Sequence, residues 1–246
     1  MIRINHSITD HSISETMAVN KEAYKQLIAD LGSHHVTLVA VSKKKSVEEI
    51  KELYDLGQKD FGENYVQELA EKQSQLPKDI RWHFIGHLQS NKVKQIAPFI
   101  HLIQSVDSLK LLQEINKQAK KANRIIDCLL QVHIAQEETK FGLDEHEIKA
   151  LFDTNSNELH ELENIRIVGL MGMASFTDDT EKVRSEFRYL KTHFDKIASN
   201  LTTHSRLLSG SRLTTLSMGM SSDYFAAIEE GSNMVRIGSL IFGARN

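Results

Sequence analysis

The sequence predicts a (β/α)8 barrel, a closed ring of eight parallel strands covered by helices, with one extra helix at the N-terminal end. Eight short, mainly apolar runs alternate along the chain with amphipathic runs of helical period. Most of the short runs are apolar on both faces, which is typical of parallel strands buried between an inner core and covering helices. One such barrel takes roughly 250 residues, so a chain of 246 residues is expected to form a single domain, 1–246.

The predicted strands begin after residue 35 and cover residues 36–43, 59–64, 81–86, 101–106, 124–135, 165–175, 214–220 and 233–243. A doubly wound open sheet is the alternative, but it usually has fewer strands and often a glycine-rich first turn. Here the turn after the first strand reads "SKKKS", which favours the barrel. The chain contains no Pro/Ser/Gly-rich linker that would divide it.

Local signals mark several helices. Ser46 and Glu49 form the S-x-x-E pattern of a capping box, so a helix is expected to begin directly after the lysines, and Gly57 to follow its end. Residues 198–213 are predicted to be a loop. Two helices show apolar faces of period 3.6: one within 15–32, with Tyr24, Leu27, Ile28 and Leu31, and one with Val183, Phe187, Leu190, Phe194 and Ile197.

Composition and charge narrow the classes of function. A net charge of −3 and a pI near 6.5 give no general attraction to nucleic acid or to anionic membranes. No apolar run approaches the ~20 residues that span a bilayer, and the N-terminal segment is too polar for a secretory signal. The single cysteine, Cys128, lies in the apolar run "IIDCLL" and is interpreted as a buried core thiol. We therefore expect a cytoplasmic protein.

The twelve histidines give little support for a metal site. His83 and His87 of "HFIGH" are four residues apart, but the segment is predicted to be a strand ending near Gly86. Helical geometry is what would bring two side chains at this spacing together on one face. No Cys/His/carboxylate cluster has ligand spacing, so we expect no metal site.

In barrels of this type, sites form at the C-terminal ends of the strands. The candidates at these positions are Lys43 to Lys45, Glu63 and Asn64, His83 to His87, Met171 to Ser175, Met218 to Ser222, and Arg236 to Ser239.

Phosphate groups commonly bind after strands seven and eight of such barrels. Ser221 and Ser222 are predicted to lie at a helix start, where free backbone N–H groups favour an anion. Gly238 permits close backbone approach, and Ser239 supplies a hydroxyl. A serine helix cap and an ordinary strand-end glycine would give the same pattern, so both interpretations remain open.

Two charged residues stand out at the predicted strand ends. Arg236 lies within an apolar run, so it must meet a buried partner or face a cavity; a salt bridge to Glu63 or Asp223 is one alternative. Strand alternation places Lys43 on the same face as Val39 and Val41, toward the barrel mouth.

The three consecutive lysines are not equivalent. An amine at Lys43, among apolar walls and beside Arg236, would be disfavoured as ammonium and therefore be a better nucleophile. Lys44 and Lys45 are interpreted as solvated residues of the turn before Ser46.

Six motifs carry a resemblance over nearly the whole chain: "LVAVSK" (38–43), "FGENYVQE" (61–68), "WHFIGHLQSNK" (82–92), "LMGMAS" (170–175), "LSMGMSSDY" (216–224) and "VRIGSLIFGAR" (235–245). In this order they resemble the YggS/PROSC family of pyridoxal 5′-phosphate (PLP) homeostasis proteins. The usual sequence continues "VSKTK" or similar, so this chain departs only after the key lysine.

The resemblance implies a PLP-binding barrel similar to the N-terminal domain of alanine racemases. It implies that Lys43 holds PLP as a Schiff base and that Arg236 contacts the pyridine nitrogen. Gly238 and Ser239, with Ser221 or Ser222, would hold the phosphate, and Asn64 would lie beside the cofactor. Arginine does not protonate this nitrogen as a carboxylic acid would, which limits the ring as an electron sink.

Two classes of function follow from the resemblance. We favour a protein that holds, buffers or delivers PLP, with PLP-dependent apo-enzymes as transient partners. The alternative is a racemase-like enzyme, which needs a second acid/base opposite the lysine. Alanine racemases supply a tyrosine from a C-terminal domain of a partner subunit; that domain is expected to be absent here, and only Tyr65 and Tyr224 are candidates to replace it. We accordingly expect a monomer.

A third alternative is a barrel enzyme that acts on another phosphorylated metabolite. It would leave Lys43 and Arg236 without matched roles.

Overall fold

The computed structural model of the chain describes residues 19–135, 141–152, 159, 161–203 and 213–243. Its eight strands are all parallel and pair in sequence order, and β8 pairs with β1 to close the barrel. The predicted (β/α)8 barrel is therefore confirmed. The strands are β1 Thr37–Val41, β2 Asp60–Glu63, β3 Arg81–Phe84, β4 Leu102–Val106, β5 Ile126–Val132, β6 Ile165–Gly172, β7 Thr215–Ser217 and β8 Met234–Ile237.

Helices follow the strands on the outside of the barrel, and one precedes them. They are α1 Lys21–Ser33, α2 Val47–Asp55, α3 Val66–Gln75, α4 Val93–Ile96, α5 Leu109–Lys121, α6 Glu145–Leu151, α7 Thr180–Thr203, α8 Tyr224–Glu229 and α9 Ser239–Phe242. The extra helix α1 contacts β1 and α9, and the Asn20 amide at its N-cap donates to the Ile241 carbonyl at 2.8 Å. In the described part of the chain, no helix is both long and apolar enough to cross a membrane.

The core has two layers because strand residues point alternately inward and outward. A large cluster joins outward-facing strand residues to the helices. A smaller cluster consists of strand residues alone, which places it inside the barrel: Val39, Leu102, Leu129, Met171 and Met234. Cys128 is completely buried in the outer layer, where burial raises the pKa of its thiol. The interpretation of Cys128 as a core thiol is confirmed.

All eight predicted strand runs contain a strand, but the last run was partly wrong. Strand β8 ends at Ile237, and residues Ser239–Phe242 form the short helix α9. The amides of Ile241 and Phe242 donate to the Gly238 carbonyl at 3.0 and 2.9 Å. A short apolar run has no periodicity that separates a buried strand from a buried helical turn, which is why the error arose here.

Two helix predictions also needed correction. Helix α7 continues to Thr203, so the loop predicted at 198–213 begins later than expected; residues 204–212 lie outside the described residues. On α1, Tyr24, Leu27 and Leu31 are buried as predicted, but Ile28 is 40% exposed, because it lies at the edge of the apolar stripe. The α1 prediction for residues 15–18 falls outside the described residues.

Candidate functional site

Lys43 follows the end of β1 at the C-terminal mouth of the barrel. Lys43 itself belongs to a tight turn, in which the Lys45 amide donates to the Ser42 carbonyl at 3.0 Å and Lys44 has a φ of 61°, in the left-handed region. The capping box predicted at Ser46 is present, since the Glu49 amide donates to Ser46 Oγ at 3.1 Å and the Ser46 amide donates to Glu49 Oε2 at 2.8 Å. Lys43 is thus held between a barrel strand and a capped helix.

The three lysines differ in their surroundings, and one prediction about them was wrong. Lys44 is exposed as expected. Lys45 is not a solvated lysine: its side chain is 16% exposed, and its Nζ donates to the Phe242 carbonyl at 2.9 Å and to Glu49 at 3.2 Å. Because Phe242 belongs to α9, Lys45 ties the turn after β1 to the helix after β8, a contact that spacing in the sequence does not reveal.

A buried ionic network from β2 and α3 holds the backbone at the start of this turn. Glu63, completely buried at the end of β2, accepts hydrogen bonds from Ser42 Oγ and from Lys72 Nζ of α3, both at 2.7 Å. Lys72 also donates to the Ser42 carbonyl at 2.7 Å and to Glu68, and Glu68 accepts from the Lys44 amide. Burial raises the pKa of Glu63, and the charge of Lys72 opposes that rise. Lys72 was missed in the sequence because a lysine on an amphipathic helix is ordinarily exposed.

Arg236 lies on β8 next to Val39 of β1 and is buried, with 4% of its surface exposed. Its guanidinium donates to Ser217 Oγ at 2.6 Å and to the Gly172 carbonyl at 3.0 Å. Burial lowers the pKa of Arg236 to about 10, and the charge of Asp223 opposes that shift, so the group stays a cation at neutral pH.

The salt-bridge alternative for Arg236 is not supported. Glu63 is paired with Lys72 instead, and the carboxylate of Asp223 accepts from the Met220 amide at 2.6 Å. Hydrogen bonds to neutral oxygens satisfy part of the guanidinium but do not neutralise it. A buried cation in this arrangement at the barrel mouth suits a ligand that presents an acceptor atom.

Asn64 follows β2 at the same end of the barrel. Its Oδ1 is a buried acceptor without a hydrogen-bond donor in the described residues. An unsatisfied buried oxygen is unfavourable, and a bound ligand with a donor group would satisfy it. Asn64 therefore lies where the sequence placed it, at the mouth, and its chemistry fits a polar ligand.

The two segments predicted to hold a phosphate leave the barrel side by side. The Arg236 amide donates to the Gly219 carbonyl at 3.0 Å, so the chain after β7 and the chain after β8 are joined just before Ser221 and Gly238. A side chain at Gly238 would place its Cβ 3.0 Å from the Val41 carbonyl oxygen, so this backbone approaches β1 closely.

The four predicted phosphate residues differ in exposure and in local structure. Ser221 and Gly238 are half-buried, whereas Ser222 and Ser239 are exposed. Ser221 and Ser222 lie in the turn before α8, which begins at Tyr224, and Ser239 begins α9. The serines before α8 thus occupy the turn rather than the helix, and Ser222 also lines an open cavity of about 580 Å³.

The two candidate tyrosines follow β2 and β7. Tyr65 is 53% exposed and borders a cavity of about 310 Å³ together with Asn64, His87 and Lys92. Tyr224 is buried, and burial raises the pKa of its phenol. A raised phenol pKa makes proton abstraction near neutral pH harder.

The histidines of "HFIGH" lie in separate environments, because β3 ends at Phe84 and His87 follows it. His83 is buried in β3 between Asp60 and Gln104, whereas His87 lies outside, near Asp107 and stacked on Phe141. Within the described residues, Asp60, His83 and His101 bring ligand-type atoms within 4.8 Å of one another. The Asp60 carboxylate is already bound by Arg81, which disfavours a cation there, and the expected lack of a metal remains a prediction.

The comparisons with known proteins agree with this geometry. The family model described as "Alanine racemase, N-terminal domain" matches residues 15–246. A pyridoxal phosphate homeostasis protein of Aquifex aeolicus is 40% identical over 218 residues, covering 88% of this chain and 90% of that protein. The human protein of the same name is 37% identical over 243 residues, covering 93% of this chain and 85% of its own length.

Solved structures extend the comparison. PipY of Synechococcus elongatus with PLP bound has a TM-score of 0.77 and 35% identity, covering 90% of this chain and 99% of that chain. An alanine racemase of Bartonella henselae shares the fold at 17% identity, with a TM-score of 0.60, covering 91% of this chain and 59% of that chain. The chain belongs to the family of the alanine racemase N-terminal domain and, within it, to the pyridoxal phosphate homeostasis proteins.

Proposed function

We propose that this protein binds PLP at the C-terminal mouth of its barrel and acts in PLP homeostasis, holding the cofactor on Lys43 and buffering or delivering it. The observation that carries the proposal is the buried guanidinium of Arg236, bonded to Ser217 and Gly172 at the barrel end where β1 delivers Lys43. The names of the relatives and the PLP-bound PipY structure support the same cofactor.

The residues at the mouth divide the proposed binding task. Arg236 donates to the pyridine nitrogen and orients the ring. Gly238 and Ser239, with Ser221 or Ser222, bind the phosphate through backbone and hydroxyl donors, and Asn64 contacts the cofactor with its Oδ1, which has no donor among the described residues. The closeness of the chain segments after β7 and β8 supports a shared phosphate site.

When bound, PLP would supply an electrophilic aldehyde carbon to which an amine can attach covalently. In this protein the amine is that of Lys43. The Ser42–Glu63–Lys72 network fixes the backbone at the preceding residue, so Lys43 starts from a fixed position in the turn after β1. Rigid presentation favours a stable covalent resting state rather than a mobile one.

The proposed role is non-enzymatic. A racemase needs a second acid/base opposite Lys43, and the two candidate tyrosines are poorly suited to it. Tyr65 is mostly exposed, which leaves its proton exchange open to water, and burial raises the pKa of Tyr224. The racemase-like enzyme remains the second candidate, which the shared fold favours. We further propose a single-domain, monomeric, cytoplasmic protein whose transient partners are PLP-dependent apo-enzymes.

Borohydride reduction tests the anchor. Reduction of the PLP-loaded protein, followed by peptide mass spectrometry, is expected to place the cofactor mass on the peptide containing Lys43. Lys43→Ala should lose the reducible adduct, whereas Lys44→Ala, next to it but exposed, should keep it. An adduct retained on another lysine in Lys43→Ala would show that the anchor is assigned wrongly.

Deuterium exchange separates the two functional classes. The PLP-loaded protein is incubated with amino acids in deuterated water, and the α-proton is followed by NMR. Exchange no faster than with free PLP supports the homeostasis role. Rapid exchange that disappears in Lys43→Ala, Tyr65→Phe or Tyr224→Phe would establish the enzyme instead.

A further inference from the structure

We propose that Arg236 is oriented toward the PLP ring by a directed chain of hydrogen bonds through Ser217, Gln104 and His83 to Asp60, which makes these four distant residues positioning residues for the cofactor. The inference rests on the proposed function, because it takes Arg236 as the partner of the ring. It adds a path that leads from the cofactor end of the barrel to the opposite end.

The contacts form an unbroken series across the barrel interior. Arg236 donates to Ser217 Oγ at 2.6 Å, and Ser217 Oγ donates to Gln104 Oε1 at 2.7 Å. Gln104 Nε2 lies 3.0 Å from His83 Nδ1, and His83 Nε2 lies 3.0 Å from Asp60 Oδ1. All five residues are buried, and they come from β8, β7, β4, β3 and β2. The series therefore descends from the barrel mouth to the first residue of β2.

The Asp60 end sets the direction of the hydrogen bonds. Burial alone would raise the pKa of Asp60, but hydrogen bonds from Arg81 and His83 outweigh it and lower the pKa to about 2. The carboxylate is therefore ionised at neutral pH and only accepts hydrogen bonds. His83 must carry its proton on Nε2 in order to donate to it.

The Arg236 end sets the same direction independently. A guanidinium only donates, so it occupies an acceptor position of Ser217 Oγ and directs the serine proton onward to Gln104 Oε1. The amide nitrogen of Gln104 then faces His83 Nδ1, and it also lies 3.3 Å from Met234 Sδ, a weak acceptor that suits an NH₂ group rather than a carbonyl. Gln104 therefore donates to Nδ1, and this direction places the His83 proton on Nε2.

A doubly protonated His83 would conflict with this arrangement. Gln104 would have to turn its carbonyl toward Nδ1, so that Ser217 Oγ would receive N–H groups from both Arg236 and Gln104. The groups that face His83 are Asp60 from β2, Arg81 on its own strand and His101 before β4, whose ring centroid is 5.5 Å away. A second proton on His83 would thus reverse both hydrogen bonds of Gln104 and leave the hydroxyl proton of Ser217 without its acceptor on Gln104, so that Arg236 would share the Ser217 oxygen with a second donor.

A purely structural role does not explain the hydrogen-bond series from Arg236 to Asp60. Around it the barrel interior is apolar, with Val39, Leu102, Leu129, Met171 and Met234, and buried polar groups stabilise a core less than well-packed apolar residues of similar volume. Neighbouring hydrogen bonds aligned in one direction polarise one another in a low dielectric. The arrangement thus holds Arg236 in one position and maintains its donor groups toward the mouth.

The first test needs no variant and no cofactor. The ¹⁵N chemical shifts and long-range ¹⁵N–¹H couplings of His83 in the PLP-free protein report its tautomer. At pH 7.5 we expect Nδ1 to be unprotonated and Nε2 to be protonated. A protonated Nδ1, in either the other tautomer or the cation, would overturn the proposed direction, whatever the outcome for PLP binding.

The second test reverses one link. Gln104→Glu preserves size but cannot donate to His83, so the introduced carboxylate draws a second proton onto Nδ1. Gln131→Glu is the matched control, since Gln131 is another buried strand glutamine that donates instead to the Phe141 carbonyl. We expect Gln104→Glu to shift the absorption maximum of the bound PLP and to weaken PLP binding about tenfold, as for one lost hydrogen bond to a charged group, while Gln131→Glu changes neither.

The outcomes separate this inference from the proposed function. One outcome is that Gln104→Glu is indistinguishable from wild type and loads PLP on Lys43 with the same absorption band and affinity. In that case the hydrogen-bond series does not position Arg236 and the inference fails, whereas PLP binding by the protein stands. If the wild-type protein takes up no PLP, the proposed function fails, and the inference, which rests on it, fails too.

If Gln104→Glu does not fold, Ser217→Ala replaces it. The control is then Ser232→Ala, because Ser232 is another buried serine and bonds to backbone carbonyls. The same shift is expected with Ser217→Ala, and an unchanged band and affinity would overturn the inference.

Discussion

Lys72 Nζ donates to the Ser42 carbonyl at 2.7 Å, from a covering helix to the residue directly before Lys43. The same ammonium lies 2.7 Å from the buried carboxylate of Glu63. The position of the proposed anchor therefore depends on an ion pair outside the barrel mouth. Four predictions follow from this contact and from the other buried charges.

Replacing Lys72 should destabilise the fold and loosen the anchor. In Lys72→Met, Glu63 loses the ammonium that compensates its burial, so we expect the free energy of unfolding to fall by about 3–5 kcal/mol, measured by urea denaturation. Lys51→Met is the control, because Lys51 forms an exposed pair with Asp55 and should change stability by less than about 1 kcal/mol. Recovery of stability in the double variant Lys72→Met/Glu63→Leu is expected, and a loss as large as in the single variant would contradict this explanation.

Asp60 should give the protein a specific acid sensitivity. Its pKa in the folded state is lowered from 3.8 to about 2, so its contribution is fully present above pH 4 and is lost as pH falls through about 2. The shift corresponds to about 2 kcal/mol. Unfolding free energies of wild type and Asp60→Asn, measured between pH 7 and pH 2.5, should converge by up to this amount at the acidic end. Asp55→Asn, an exposed control, should stay parallel to wild type, and a constant gap for Asp60→Asn would contradict the assignment.

Arg236 should matter more for PLP binding than for folding. In Arg236→Met, we expect the free energy of unfolding of the PLP-free protein to change by less than about 1.5 kcal/mol, because the cost of burying the charge offsets most of what its hydrogen bonds contribute. PLP affinity, measured by equilibrium dialysis, should fall at least about tenfold through loss of a charge-assisted hydrogen bond. Arg236→Lys should not restore it, because an ammonium lacks the guanidinium fork. Wild-type affinity in either variant would remove Arg236 from the site, and Arg166→Met, at the exposed pair with Asp127, should bind PLP normally.

The turn lysines should respond in opposite ways. Lys45→Ala removes the bond to the Phe242 carbonyl and should cost about 1–2 kcal/mol in unfolding free energy. Lys44→Gly relieves a left-handed φ of 61° and should be neutral or stabilising by up to about 1 kcal/mol. Thermal and urea unfolding compare the two, and equal destabilisation by both would show that the turn is held in another way.

The parts of this protein that could be predicted from the sequence are those encoded by local patterns. The capping box at Ser46, the apolar stripe on α7 and the alternation of inward and outward residues along the strands each depend on residues within a few positions of one another. The final apolar run shows where this approach ends. Its residues satisfy a strand and a short buried helix equally well, and only the closure of the barrel at Ile237 decides between them.

The sequence by itself determined the barrel, the end of the barrel at which Lys43 and Arg236 lie, and the family resemblance. Tertiary structure alone decided the partners of the buried charges: Lys72 rather than Arg236 for Glu63, Phe242 for Lys45, and the series from Arg236 to Asp60. These pairs come from strands and helices between 9 and 197 residues apart, where local periodicity carries no information. The stability of the fold then depends on these partners, because a buried charge is costly unless a nearby group pairs with it or hydrogen-bonds to it. The closed barrel determines which group lies near enough to do so.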